Sequence, residues 1–172
     1  MKENPYDNQT FFEQYSRMPR SVEGLSCAGE WHELQKMLPC FAGQRVLDLG
    51  CGFGWHCRYA AEQGAVRVVG VDLSQKMLQR AREMTASPVV SYAACAIEDY
   101  LCEPGSFDVA VSSLALHYVE QFETVCNMVC RALAAGGDFI FSVEHPVFTA
   151  AGSQQWYCDR EGKPLHWPVD RY

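Results

Sequence analysis

The sequence lacks several features that would each point to a particular class of protein. No apolar run approaches the roughly 20 residues that a membrane-spanning helix needs. The first five residues lack the apolar centre of a signal peptide. There is no basic excess, because the net charge is −7, and this argues against a nucleic-acid partner. Together these absences predict a cytoplasmic protein with no membrane and no nucleic acid among its partners.

Ordered cysteine spacing is also missing. The chain has nine cysteines, but none forms a Cys-x-x-Cys pair, and Cys126 and Cys130 lie four residues apart inside a helical pattern. Scattered cysteines without an export signal are typical of reduced thiols that serve as small apolar side chains. We therefore expect no metal site.

Low-complexity tracts, charge blocks, internal repeats and a linker are absent as well. With 172 residues, 48% of them apolar, the chain is long enough to bury one substantial core. We predict a single domain over residues 1–172. Residues 1–40 would form an N-terminal helical cap, residues 41–146 the core, and residues 147–172 a flap-like tail.

Residues 45–54 organise the chain. Val46, Leu47 and Leu49 form the short apolar run of a strand that is buried on both faces. Glycines follow at 50, 52 and 54, where the backbone can adopt positive φ and a ligand can come close. Residues 55–62 then predict a helix that stops at Gly64. A strand, a Gly-rich turn and a helix N-terminus in this order favour a nucleotide-like ligand.

Strands and helices alternate along the rest of the core, joined by short turns, which predicts a parallel sheet covered on both faces. The predicted strands are residues 46–49, 67–71, 89–93, 107–112 and 138–143. The predicted helices are residues 8–18, 27–38, 55–62, a segment capped by Ser74, and 122–133. The tail predicts a hairpin between residues 155–158 and 165–167.

An ordered series of motifs now stands out: Asp48-Leu49-Gly50-Cys51-Gly52-Phe53-Gly54, then Asp72, Phe107-Asp108-Val109 and Ala134-Ala135-Gly136-Gly137. On these residues the chain resembles class I S-adenosylmethionine-dependent methyltransferases, above all the small bacterial enzymes of the ubiquinone-methyltransferase-like type. The resemblance covers roughly residues 31–145. It implies a doubly wound, Rossmann-like α/β fold with strand order 3-2-1-4-5. The family's sheet has seven strands, and we expect the last two to be missing here.

The resemblance further implies a cofactor, S-adenosylmethionine, whose methyl group passes to a small-molecule acceptor and leaves S-adenosylhomocysteine. The Gly-rich turn would lie against the methionine part, with Asp48 near its amino group. Asp72 would accept hydrogen bonds from both ribose hydroxyls. The cofactor-binding residues implied on this side are Asp48, Gly50, Cys51, Gly52, Gly54, Asp72, Leu73 and Met77.

The loop expected to hold the adenine departs from the family's pattern. Ala96 stands where an acid usually receives the adenine amino group. Ile97 would pack on the adenine face, with its backbone N–H toward a ring nitrogen, and Glu98 would replace the missing acceptor. The alternative for Glu98 is a solvated position at the start of a helix.

Two further groups complete the predicted site. Ser113 and Leu114 would line the methyl-transfer cavity at the end of the fourth strand. His117 would act as a base toward the acceptor or only pack against the cofactor. Either Glu144 or His145 would orient the substrate. From the cap, Tyr15 and Arg20 would close over the cofactor. Arg20 would pair with the methionine carboxylate, or else be a surface arginine.

Alternatives remain at this point. A chain without the last strands is compatible with a cofactor-binding or structural fragment that has no turnover. An NAD-binding Rossmann protein is more remote, since dinucleotide binders usually show Gly-x-Gly-x-x-Gly and not Gly-x-Gly-x-Gly. The fifth strand would be an open edge, so we also expect either self-association through it or shielding by the tail.

Overall fold

A computed structural model describes residues 4–150, 153 and 155–169. The chain divides into two compact units, Met1–Ser142 and Val143–Tyr172. The division into cap, core and tail within one domain stays a prediction. Among the described residues, no helix is both long and apolar enough to cross a membrane.

The first unit contains a five-stranded parallel sheet in the order β3-β2-β1-β4-β5, which confirms the predicted topology. The strands are β1 Arg45–Leu49, β2 Arg67–Asp72, β3 Val90–Ala94, β4 Phe107–Ser113 and β5 Leu133–Ser142. The order reverses between β1 and β4. In open α/β sheets this switch point is where ligands bind, at the carboxyl ends of the strands.

Successive side chains of the central strands point to opposite faces of the sheet, and both faces carry a hydrophobic core. Val46 belongs to the core cluster on one face of the sheet, and Leu47 and Leu49 to the cluster on the other. All three are at most 1% exposed. A strand with two buried faces is mostly apolar, which is why Val46, Leu47 and Leu49 follow so closely in β1, and Asp48 is the buried polar residue among them.

The described residues of the first unit form six α-helices. They are α1 Gln9–Ser16, α2 Pro19–Val22, α3 Trp31–Met37, α4 Trp55–Glu62, α5 Gln75–Met84 and α6 Phe122–Ala132. Short 3-10 helices lie at Pro5–Asp7, Gly24–Cys27, Ile97–Asp99 and Leu116–Tyr118. The predicted α4 and the Ser74 cap of α5 are confirmed, because the Ser74 side chain accepts from the backbone of Met77.

The cap differs from its prediction in two places. The predicted helix over 27–38 is wrong in extent, because the 3-10 turn Gly24–Cys27 ends before α3 begins at Trp31. Ala28, between them, is extended at φ −86° and ψ 119°. The second difference is α2, which no predicted helix covers and which begins at Pro19, because proline is favourable in the first turn of a helix.

The fifth strand is also longer than predicted. It pairs with β4 from Leu133 onward and is irregular between Phe107 and Val109. Gly136, at φ +80°, permits this bulge, so the glycines of the Ala134-Ala135-Gly136-Gly137 motif lie within the strand.

The second unit contains the short helix α7 Pro146–Thr149 and the predicted hairpin, β6 Tyr157–Cys158 and β7 Pro164–His166. The Asp159 carboxylate organises the turn by accepting from the backbone N–H groups of Glu161 and Lys163, both at 2.9 Å. Within this unit, the Trp167 indole donates to the Val147 carbonyl at 2.9 Å.

Candidate cofactor site

The Gly-rich turn joins β1 to α4 and contains both a packed and an open position. Gly50 has φ +75°, and a Cβ there would collide with the Cβ of Ala115. Gly52 has φ +52°, and the position of its missing Cβ has no atom within 4 Å. Gly54 begins α4. Gly50 therefore serves packing, whereas Gly52 leaves room for a ligand against the backbone.

Asp72, at the end of β2, fixes this turn. Its Oδ2 accepts from the backbone N–H of Gly52 at 2.9 Å, and its Oδ1 accepts from Ser74 at 2.8 Å. Burial raises the pKa of Asp72, and the nearby Asp7 charge adds to the effect, while the backbone donors oppose it. Each carboxylate oxygen has two acceptor sites, so two hydrogen bonds leave capacity for two hydroxyl groups.

Asp48 lies beneath the turn. It is 1% exposed, and its Oδ2 accepts from the Cys57 thiol at 3.1 Å. Its Oδ1 is buried and has no partner in the described part of the chain. Burial raises the pKa of Asp48 to about 7, opposed by the Cys57 thiol and increased by the charge of Asp72. The predicted approach of a ligand's amino group would supply the partner that Oδ1 lacks.

A cavity that is open to solvent lies at this turn. Six of the predicted site residues line it together: Tyr15, Arg20, Gly50, Cys51, Gly52 and Ser113. They come from the cap, the Gly-rich turn and the end of β4. The cavity is therefore built from segments that are nearly 100 residues apart in sequence, between Tyr15 and Ser113.

Sequence reasoning missed other residues of the cavity, chiefly Trp55 and His56 in the first turn of α4. The Trp55 ring lies on Gly24, where a Cβ would come within 2.6 Å of it. Burial lowers the pKa of His56 to about 4, opposed by the charge of Glu30 and assisted by that of Arg20. His56 is thus a neutral imidazole at pH 7. The helical pattern of residues 55–62 predicted that Trp55 and His56 lie in a helix but not that they line a cavity.

The cap is tied to the core by polar and aromatic contacts. The Asp7 carboxylate accepts from the Ser74 hydroxyl at 2.5 Å and from the Lys76 N–H at 3.2 Å, at the start of α5. Tyr15 packs edge-on against Phe53 in the Gly-rich turn, with 5.7 Å between ring centroids. The Tyr6 ring contacts Tyr118 beyond β4, at 6.3 Å. The cap therefore lies along the carboxyl ends of β1, β2 and β4.

The residues predicted for the adenine side lie in different environments. Leu73 is 37% exposed directly after β2, whereas Met77 is 2% exposed in the core. Ala96 is 6% exposed, and Ile97 reaches Gly50, with 3.6 Å between its Cδ1 and the position of the missing Cβ. Glu98 is half-buried in the Ile97–Asp99 turn. Met77 is therefore a core residue and Leu73 an exposed one, and the roles of these residues toward an adenine stay predictions.

The end of β4 combines strain with an unpaired ring nitrogen. Leu114 has φ +51°, the only positive φ at a non-glycine residue in residues 4–150, 153 and 155–169. Its N–H donates to the Ser142 carbonyl at 2.9 Å. The Nδ1 of His117 is buried without a partner among those same residues, and its ring is 4.3 Å from that of Tyr118. Backbone strain of this kind is common at functional sites.

His145 belongs to the second unit and is exposed. Its Nδ1 accepts from the backbone N–H of Val147 at 3.2 Å and so caps α7. This contact gives the residue a structural task within its own unit, and its role toward a substrate stays a prediction. The described residues contain no group of three or more His, Cys, Asp or Glu placed to hold a metal ion.

Comparison with known proteins agrees with this geometry. The methyltransferase domain family matches residues 47–141. A solved Listeria monocytogenes structure, provisionally named as an S-adenosylmethionine-dependent methyltransferase, is 61% identical with a TM-score of 0.80, over 84% of this chain and 68% of that one. An S-adenosylmethionine-dependent methyltransferase from Mesorhizobium loti is 47% identical with a TM-score of 0.80, over 86% of this chain and 67% of that one.

Among curated relatives, the ubiquinone biosynthesis O-methyltransferase of Bordetella pertussis is 35% identical over 63% of this chain. The chain spans 45% of that enzyme and 61% of a Haemophilus influenzae relative, about half their lengths. This chain belongs to the class I S-adenosylmethionine-dependent methyltransferases, and its cofactor is S-adenosylmethionine.

Proposed function

We propose that the chain transfers the methyl group of S-adenosylmethionine to a small-molecule acceptor. The observation that carries the proposal is the cavity that joins the open face of Gly52 to Tyr15 and Arg20 of the cap and to Ser113 of β4. The Gly-rich turn lies at the sheet's switch point, where the family places its cofactor.

Each part of the site has a proposed task in binding. The Gly50–Gly54 turn receives the methionine part, Asp48 lies beneath its amino group and Arg20 pairs with its carboxylate. Asp72 accepts from the ribose hydroxyls while holding Gly52. Leu73, Ala96, Ile97 and Glu98 surround the adenine, and Met77 supports them from the core.

The chemistry requires little from side chains. The bound cofactor supplies a sulfonium-activated methyl group, so the protein has to align the acceptor and exclude water. The cap excludes water, and Ser113 and Leu114 shape the space where the acceptor approaches. His117, whose Nδ1 has no partner among the described residues, is proposed to take a proton from an acceptor that carries one. His145 is proposed to orient the acceptor.

The acceptor is proposed to be small because the chain has no basic excess for a nucleic acid. A cytoplasmic, bacterial setting is part of the same proposal. It is supported by the absence of a membrane-spanning helix among the described residues and by the bacterial sources of the relatives. The ubiquinone pathway is named for the Bordetella relative and does not fix the acceptor here.

Two matched glycine variants test the proposal. Gly52 and Gly43 both have positive φ, +52° and +76°, and neither has an atom within 4 Å of its missing Cβ. Gly52→Ala and Gly43→Ala should therefore suffer similar backbone strain, on the order of 1 kcal/mol. By calorimetry, Gly52→Ala should lose affinity for S-adenosylhomocysteine by at least tenfold (roughly 1.4 kcal/mol), whereas Gly43→Ala should bind like the wild type. Equal affinities of the two variants for S-adenosylhomocysteine would contradict the proposed contact between the cofactor and the Gly52 backbone.

A further inference from the structure

One carboxylate behind the cavity wall connects two residues that form the wall. The Oε1 of Glu30 accepts from the Arg20 guanidinium at 3.0 Å and from the Ser113 hydroxyl at 3.0 Å. Arg20 lies in α2 of the cap, and Ser113 ends β4 in the core. Both line the cavity, whereas Glu30 is not among its lining residues. Glu30 therefore acts on the cavity through its two partners.

The hydrogen bonds around Glu30 run in one direction. The Ser142 hydroxyl donates to the Ser113 oxygen at 3.2 Å, and the Ser113 hydroxyl in turn donates to Glu30. Glu30 is the final acceptor, and it receives the Arg20 guanidinium from the other side. This chain fixes the rotamer of Ser113 and holds Arg20 at the same oxygen atom.

The Arg20–Glu30 ion pair is partly buried, and Glu30 is charged, so their interaction is stronger than that of a pair on the open surface. The side chains of Arg20 and Glu30 are 30% and 20% exposed, so their ion pair is screened less than one on the open surface. Burial raises the pKa of Glu30, but its own backbone N–H, Arg20 and Ser113 outweigh that effect and hold it below its usual value. Glu30 is therefore ionised at neutral pH and remains a strong acceptor.

Arg20 keeps donors for a ligand. A guanidinium carries five N–H groups in a fixed planar fork, and the bond to Glu30 uses one of its nitrogens. Because the guanidinium is planar and rigid, fixing one nitrogen also fixes the directions of its remaining N–H groups. This matters because pre-organised donors lose less entropy when a carboxylate binds.

We infer that Glu30 is a positioning residue that presents Arg20 to the methionine carboxylate of the cofactor. The inference rests on the proposed function. Glu30 also ties the cap to the end of β4, so that cap closure and carboxylate recognition depend on the same oxygen atom. Its spacing from Arg20 and Ser113, 10 and 83 residues, hides this role from any local sequence pattern.

Two related ligands separate positioning from a general structural role. S-adenosylhomocysteine carries the amino-acid end, whereas 5′-methylthioadenosine has the same adenosine and thioether without the carboxylate. Glu30→Gln should weaken S-adenosylhomocysteine binding on the order of tenfold, because Arg20 loses its charged partner. Binding of 5′-methylthioadenosine should stay within about twofold of the wild type, since no bond to a carboxylate is at stake.

Glu33→Gln is the matched control. Glu33 lies in α3, is 64% exposed in its side chain, pairs with Lys36 at 2.7 Å and is not among the cavity-lining residues. It should bind both ligands like the wild type. Calorimetry on the full chain, with thermal unfolding of each variant, provides the measurement. Ser113→Ala removes the second hydrogen bond to Glu30 without changing the charge. It should also selectively weaken binding of S-adenosylhomocysteine, and it serves as the test if Glu30→Gln fails to fold.

Each outcome has a distinct meaning. Selective loss of S-adenosylhomocysteine affinity supports positioning through Arg20. An equal loss for both ligands, or no loss for either, overturns the inference, because Glu30 would then be only a structural link or have no role in binding. A wild-type chain that binds neither ligand contradicts the proposed function itself.

Discussion

Replacing Asp48 with asparagine should make the ligand-free chain more stable above pH 7. The carboxyl group is 1% exposed, with one oxygen bonded to Cys57 and the other without a partner in the described residues. Ionising it in this place leaves a charge without adequate compensation, which is why its pKa rises to about 7. Asparagine has nearly the same shape, keeps an acceptor for the Cys57 thiol and never ionises.

The expected magnitude follows from the difference between the folded and unfolded pKa values. Asp48 changes from an ordinary 3.8 to about 7 on folding, so the folded chain holds an extra proton between these values. The stabilisation is complete below pH 3.8 and is lost as the pH rises through 7. At about 1.4 kcal/mol per pH unit, the ionised carboxylate costs on the order of 4 kcal/mol at pH 8.

His56 changes the free energy of unfolding with pH in the opposite direction, so its contribution has to be removed from the comparison. Its pKa falls to about 4 on folding, so its contribution is present above pH 6.5 and is lost as the pH falls toward 4. Wild type and Asp48→Asn share His56, so their difference isolates Asp48. Urea unfolding at pH 5, 6, 7 and 8 should show the variant gaining on the wild type by about 1 kcal/mol per pH unit up to pH 7. A difference that does not change with pH would refute the assigned burial of a titrating Asp48.

Three other predictions concern the turn, a surface ion pair and the edge of the sheet. Asp72→Ala should weaken S-adenosylmethionine binding by about 1.5–3 kcal/mol, because both the ribose acceptor and the anchor of Gly52 are lost. Calorimetric affinity within twofold of the wild type would place the ribose elsewhere. Asp108→Asn should lower the thermal midpoint by a few degrees at pH 7, because Arg45 donates three hydrogen bonds to this carboxylate. The hydrogen bonds from Arg45 lower the pKa of Asp108 to about 2, so its contribution is present above pH 3.8, and the difference between the thermal scans should vanish as the pH falls through 2. Finally, β5 is an edge strand of its sheet with Phe141 40% exposed, so the chain should either self-associate or protect residues 138–142 from amide exchange. A monomer by light scattering with rapid exchange throughout those residues would contradict both outcomes.

The parts of the fold that sequence reasoning predicted are governed by local chemistry. The apolar run of β1, the glycines after it and the helix over 55–62 each follow from neighbouring residues, and α4 begins and ends where predicted. The Ser74 cap likewise depends on a bond across three residues. The strand order came from the resemblance to a family and was confirmed by the sheet.

The residues that were missed depend on contacts distant in sequence. Glu30 has the pattern of an ordinary helix start, and only its bonds to Arg20 and Ser113 give it a place at the site. Asp7 caps α5 from 67 residues away. The predicted helix over 27–38 failed because extended Ala28 separates a 3-10 turn from α3, although the apolar spacing is continuous. Periodicity identifies a buried face but does not show where the backbone leaves the helix.

Isothermal titration calorimetry of the full chain with S-adenosylhomocysteine tests the central claim most directly, with NAD as the competing ligand. The open face of Gly52, the Asp72 carboxylate and the cavity beneath the cap predict saturable binding of S-adenosylhomocysteine at one site per chain. The same site should show no heat with NAD, because the turn is spaced as Gly-x-Gly-x-Gly. Binding of NAD without binding of S-adenosylhomocysteine would contradict the account.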